Sequence, residues 1–226
     1  MLFRSVFAYP TYEGFQTGSG AGEYPPGTPL QTTIDGGSGW LSNSWHWWGS
    51  TDERYWEGEA TGLGYSDGLH TLETRPGAAA IPAGAGWSHA ERTMPLITGG
   101  TGMWFSFLSD RRDGETWNQW DFRFVDSGGG PQAGQTRIGV DSSDAATYTY
   151  FANYAGGGET NIDTGISVQG SHLVVGHISR MNSMGSVTRI WIDPSNIADI
   201  ESVTPDVLCS NVEFVGKVDR VDFYAS

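Results

Sequence analysis

Trp120-Asp121-Phe122-Arg123-Phe124 puts three aromatic rings on one side of an extended chain and two charges on the other. Successive side chains of a strand point to opposite faces, so this alternation describes a half-buried β-strand. Outward from it, Met103 to Leu108 (MWFSFL) is apolar on both faces, the pattern of a central strand covered on both sides. His172 to Arg180, Val187 to Ile192 and Lys217 to Ala225 give three more strands, and Thr136 to Val140 and Tyr148 to Tyr154 two shorter ones. Residues 195–203 are expected to form one or two helical turns.

Turn signals separate these segments: Gly99-Gly100, Asp113-Gly114, Gly128-Gly129-Gly130-Pro131, Gly156-Gly157-Gly158 and Asp193-Pro194. Strands at such spacing, without helical patterns between them, indicate a sandwich or barrel. The 33 Gly and 10 Pro suit many strands joined by tight turns and exclude long helices. The expectation is an all-β fold, a two-sheet antiparallel jelly-roll sandwich with very little helix, forming a single domain over 1–226. The stretch 10–38 reads as an ordered surface loop containing a short strand.

Composition narrows the function classes. Aromatic residues make up 13 % of the chain, ten of them Trp, which supplies the buried area a loop-rich fold needs. A formal charge of −14, with 12 basic residues, repels phosphate backbones and argues against a nucleic-acid partner. No apolar run is long enough for a membrane span. The single cysteine, Cys209, excludes an intramolecular disulfide and multi-thiolate metal sites, and reads as a small buried apolar residue. Met1 to Pro10 has neither a basic n-region nor a long apolar h-region, so it is not a secretory signal peptide. Either a leader has been removed, or the protein leaves its cell without one, as virion proteins released by lysis do.

The order of several short segments resembles concanavalin A-like or laminin-G-like jelly-roll domains. These are Tyr12-Glu13-Gly14-Phe15, Asp35 to Trp40, Gly102 to Leu108, Leu173 to Ile178, Arg189 to Ser195 and Val218 to Tyr224. The resemblance spans nearly the whole chain. It implies that first and last strands lie side by side, with a structural Ca²⁺ site on the sandwich edge made by Glu13 and Asp219 with backbone carbonyls. Read from the residues alone, Asp219 leads a strand face shared with Val221 and Phe223 and needs a partner. A hard cation would serve; so would an arginine or a turn to cap.

Catalytic signals are sparse. Glycosidases need two carboxylates on one face of a strand. Glu57 and Glu59 have that spacing, but within a Gly-rich segment (WEGEATG) that reads as a loop. Leu72-Glu73-Thr74-Arg75 and Tyr150 to Tyr154 resemble two motifs of jelly-roll polysaccharide lyases, without the Gln-Ile-His element between them. His46, His70, His89, His172 and His177 show no metal-ligand spacing and read as hydrogen-bonded structural residues.

The most unusual feature is Trp40 to Gly49, followed by Tyr55-Trp56. If residues 44–48 are extended, Trp45 and Trp47 share one face, and His46 and Trp48 the other. Three roles stay open for Trp45, Trp47, Trp48 and Trp56: filling the core, contacting a neighbouring subunit, or stacking on a glycan. The expectation is a non-catalytic module at an extracellular or virion surface. It would act either as a lectin-like glycan-binding domain or as a phage decoration or fibre component docking on subunits, homo-oligomers included. A polysaccharide lyase or glycoside hydrolase of the same fold is the alternative.

Overall fold

The computed structural model describes residues 46–49, 57–59, 63–72, 78–80, 88–98, 102–111, 120–125, 136–141, 144–153, 159–179, 186–212 and 217–225. Described in chain order, its strands are β1 (His46–Gly49), β2 (Glu57–Glu59), β3 (Tyr65–Ser66), β4 (Thr71–Leu72), β5 (Ala78–Ala80), β6 (Ser88–Thr98), β7 (Met103–Arg111) and β8 (Trp120–Val125). They continue with β9 (Thr136–Asp141), β10 (Asp144–Asn153), β11 (Glu159–Ser167), β12 (Gly170–Ser179), β13 (Ser186–Ile192), β14 (Val207–Val212) and β15 (Lys217–Ala225). Helical structure among the described residues is one 3-10 turn, Ile200–Ser202. The all-β expectation holds.

Two antiparallel sheets carry the architecture. The larger runs β1-β6-β15-β8-β9-β10-β11 and the smaller β14-β13-β12-β7. One buried cluster joins them: Phe122, Phe124, Ile138, Val140, Tyr148, Tyr150 and Val221 from the larger sheet meet Met103, Val174, Ile178, Ile190, Ile192, Val207 and Cys209 from the smaller. Burying each of the larger side chains contributes about 1.5–3 kcal/mol. The three aromatics of β8 lie on this inner side, as their alternation requires, with Phe122 4.9 Å from both Phe124 and Phe223, ring centre to ring centre. Cys209 is buried as expected, and burial pushes its thiol pKa up.

Several expectations need correction. Met103–Leu108 is not central: β7 ends the described smaller sheet. Its two-sided apolar pattern has another cause, because Phe105 and Phe107 pack in the core while Trp104 and Leu108 join a second cluster on the opposite face. Glu57–Glu59 is a strand paired with Ala78–Ala80, not a loop. The closing strand β15 lies beside β6 and β8; the segment Tyr12–Phe15 expected next to it is outside the described residues.

The second cluster covers part of the smaller sheet's outer face. Leu173, Val175 and Trp191 are roofed by Ile197, Ile200 and Val203 and by Tyr65 and Leu72 of the β3–β4 hairpin. The Trp191 indole donates to the Val203 carbonyl at 2.8 Å, and the Ile192 amide to Asp206 Oδ2 at 2.7 Å. Tyr65 donates to the Pro194 carbonyl, and burial, reinforced by Asp193 and Asp67, pushes its phenol up to about 12.

Candidate functional site

Cross-strand register draws three rows across all seven strands of the larger sheet. The core row is Trp47, Ala90, Phe223, Phe122, Ile138, Tyr150 and Ile162. One row on the opposite, outer face is His46, Glu91, Asp222, Arg123, Arg137, Phe151 and Asn161. The other is Trp48, His89, Tyr224, Asp121, Gly139, Thr149 and Asp163. Residues directly opposite in antiparallel strands share a face. Of the Trp-rich stretch, Trp47 stands opposite Ala90, and His46 and Trp48 stand opposite Glu91 and His89. Trp45 and Trp56 lie outside the described residues.

The outer face is polar yet densely packed. Asp121 is fully buried, and Asp222, Phe151 and Thr149 are nearly so. Arg123 grips Asp121 through two parallel hydrogen bonds, Nε to Oδ1 and Nη2 to Oδ2, the latter at 2.9 Å. Arg137 Nη1 stands 3.5 Å from the same Oδ2. The Arg123 guanidinium lies 4.0 Å above the Tyr224 ring, and that of Arg137 4.2 Å above Phe151. Next to these rows Arg220 donates to Glu91 at 2.7 Å.

Burial works against the charge on Arg123, but the hydrogen bonds and charge of Asp121 outweigh it and hold the guanidinium above its ordinary pKa. Burial pushes the Asp121 carboxyl pKa up, while the hydrogen bonds and charge of Arg123 and the charge of Arg137 work against that and favour the carboxylate form. On this face Glu91, Asp121 and Asp222 stand among three guanidiniums (Arg123, Arg137, Arg220), and Asp163 on β11 adds a fourth carboxylate. With Asp121 and Glu91 each committed to an arginine, the face is suited to presenting fixed donors, acceptors and ring edges rather than to exchanging protons.

A second polar cluster closes one end of the sandwich. Ser109 on β7 and Tyr148 on β10 share a short hydroxyl–phenol hydrogen bond across the two sheets, and burial pushes the Tyr148 phenol pKa up. His172, opposite Ser109 in register, places Nδ1 2.6 Å from Asp193 Oδ2 and Nε2 2.9 Å from the Gln169 carbonyl. Serine, histidine and aspartate are thus present together, but the geometry of a nucleophilic triad is not. The Nε2 that would take the serine proton is occupied by a carbonyl. His172 is a structural clamp, as is His70, whose Nδ1 lies 3.0 Å from Asp67 in the β3–β4 turn.

Of the expected Ca²⁺ ligands, Asp219 is half-buried on β15, and Glu13 is outside the described residues. Asp219 sits at a shift of register where Met94-Pro95-Leu96 of β6 stand opposite it. Pro95 has no amide to donate, so the ladder cannot run regularly there. No group of three His, Cys, Asp or Glu close enough to hold a metal occurs among the described residues.

Arg137, Asp222, Tyr224 and Phe151 went unrecognised as site residues in the sequence. The signal for Asp121 and Arg123 was present in the alternation of β8, but their neighbours emerge only from register. The sequence matches no protein-family model and no curated protein. No helix among the described residues is long and apolar enough to cross a membrane.

Proposed function

We propose that the protein is a non-catalytic binding module of the concanavalin A-like jelly-roll kind, displayed at an extracellular or virion surface, which holds a neutral glycan on the outer face of its larger sheet. The observation that carries this reading is the pair of outer rows, where aromatic, amide, hydroxyl and paired charged groups stand side by side. Sugars are recognised by such a mixture: ring edges and faces against C–H groups, fixed polar groups against hydroxyls. The half-buried Tyr224 and the exposed Asn161 and Asp163 supply the contacts, and the register position of Trp48, opposite His89, continues the row of Tyr224.

The test is retention on a glycan array by the wild-type chain and by Trp48→Ala, Tyr224→Ala and Trp47→Ala. Trp48→Ala and Tyr224→Ala are expected to lose retention while keeping the wild-type near-UV circular dichroism. Trp47→Ala separates two roles: loss of retention with the fold kept makes Trp47 a contact residue, and a lowered Tm makes it a packing residue. Absence of retention by the wild type overturns the glycan reading in favour of subunit docking on a particle. Shortening of the bound oligosaccharide overturns the non-catalytic part in favour of a lyase or hydrolase. The structural Ca²⁺ of Glu13 and Asp219 enters as a separate arm: a Tm unchanged by EDTA and by added Ca²⁺ removes it from the reading.

A further inference from the structure

We propose that His172 is a pH-operated latch: as a doubly protonated imidazolium it ties the crossover between the two sheets to the corner at Asp193, and loss of one ring proton releases the crossover. Strand β11 belongs to the larger sheet and β12 to the smaller, so residues 168–170 carry the chain from one to the other. Val168 is buried in the shared core, and its amide donates to the Ala146 carbonyl at 3.1 Å. Gln169 and Gly170 are exposed, and Gly170 turns the chain with a φ of 88°. From β12 the His172 ring reaches back, with Nε2 2.9 Å from the Gln169 carbonyl and Nδ1 2.6 Å from Asp193 Oδ2.

Both partners are acceptors. A carbonyl oxygen has no proton to give and an ionised carboxylate has none either, so both ring nitrogens must donate. A neutral imidazole has one N–H. The two bonds therefore exist together only while the site holds two protons, and a rise in pH must break one of them. The geometry selects which. The bond to Asp193 is the shorter and charge-assisted one, and its carboxylate is fixed from the other side by the Leu173 amide at 2.9 Å. The neutral ring thus keeps its proton on Nδ1 and turns the Nε2 lone pair on the Gln169 carbonyl, so that two acceptors face each other. Gln169 is exposed, its carbonyl turns to water, and the crossover leaves the ring.

The surrounding groups leave this titration to the imidazole. Tyr148 on β10 meets the ring edge-on, 5.5 Å between centres. Ser109 stands opposite His172, with Asp110 and Arg111 opposite Ser171 and Gly170. Tyr65 on β3 donates to the Pro194 carbonyl, next to Asp193. Burial keeps both phenols neutral through the range in which an imidazole titrates. The inference does not depend on what the larger sheet binds.

Nuclear magnetic resonance on the full isotope-labelled chain tests this, because His177 also responds to pH and Tm alone does not separate the two. Long-range proton–nitrogen correlation from about pH 5 to about pH 9 reads the protonation of the His172 ring. Both nitrogens are expected to carry protons at the acid end, and Nδ1 alone at the alkaline end. Protection of the Val168 amide, corrected for intrinsic exchange, is expected to fall roughly tenfold with the same midpoint. Asp193→Asn keeps an acceptor without the charge and should move that midpoint to lower pH. His172→Phe should leave Val168 protection low and independent of pH; should it not fold, the wild type and Asp193→Asn carry the test. A ring whose protonation stays constant across the range overturns the inference, as does a neutral ring protonated on Nε2. So does Val168 protection that ignores the ring, or a midpoint unmoved in Asp193→Asn.

Discussion

Asp121 and Arg123 lie two residues apart on one strand, and their side chains meet in a two-point ion pair on the face turned away from the core. Removing the arginine alone strands a fully buried carboxylate beside a more distant Arg137. Arg123→Met is expected to cost about 3–5 kcal/mol of unfolding free energy in urea titrations. The Asp121→Asn/Arg123→Met double variant should recover most of that loss, since a neutral pair needs no buried counter-charge. Equal losses in single and double variants would show that the pair does not act as a unit.

Gly176 and Gly139 exclude a side chain for different reasons. A methyl at Gly176 would enter the ring of Phe105, its cross-strand partner, whereas one at Gly139 would collide with the Trp120 carbonyl and the Asp121 backbone. Both Ala variants should lower Tm. Only the first should be rescued, by adding Phe105→Leu, because a side chain can be exchanged and a paired strand cannot. Differential scanning calorimetry of the four proteins separates the two cases.

Asp193 adopts a left-handed backbone, φ 49°, while its carboxylate accepts from the Leu173 amide at 2.9 Å and from His172. Asn tolerates that conformation and keeps an acceptor; Ala does neither. Asp193→Ala is expected to lose about 2 kcal/mol, and Asp193→Asn clearly less, in the same urea titration.

Burial, with Arg189 acting in the same direction and Glu201 against it, lowers the pKa of His177 below its ordinary 6.5. The folded chain therefore binds this proton less readily than the unfolded one. The associated stability is complete above about pH 6.5 and declines as the pH falls toward the lower folded value. His177→Phe, which can keep the stack on Trp104, should flatten the dependence of Tm on pH in that window. An unaltered slope would assign the dependence to another group.

Legibility in the sequence followed the range of the interactions concerned. Trp120–Phe124 and Lys217–Ala225 could be read because alternation is a local property, and β15 matches its expected bounds. Strand β6 could not: Ser88–Thr98 contains Glu91, Arg92 and Pro95, and its extended form is supported by pairing with β1 and β15, distant in the chain. Polar β11 stayed hidden for the same reason. The odd–even split of the Trp-rich stretch was readable, but the partners of its residues on β6 were not, since they depend on a strand about forty residues away. The face joining Asp121, Arg123, Arg137 and Tyr224 exists only once four strands have found their register.

The place of β15 has a consequence for biosynthesis. It joins β1-β6 on one side to β8-β9-β10-β11 on the other, yet it is translated after all of them. While residues 217–225 are still inside the ribosomal tunnel, β6 and β8 each present a row of unsatisfied amides and carbonyls toward a gap one strand wide. The nascent chain can assemble the two flanks as they emerge, but it cannot close the sheet. This sheet can therefore close only once β15 has emerged, and the interval before that is when the chain is most open to mispairing with its polysome neighbours.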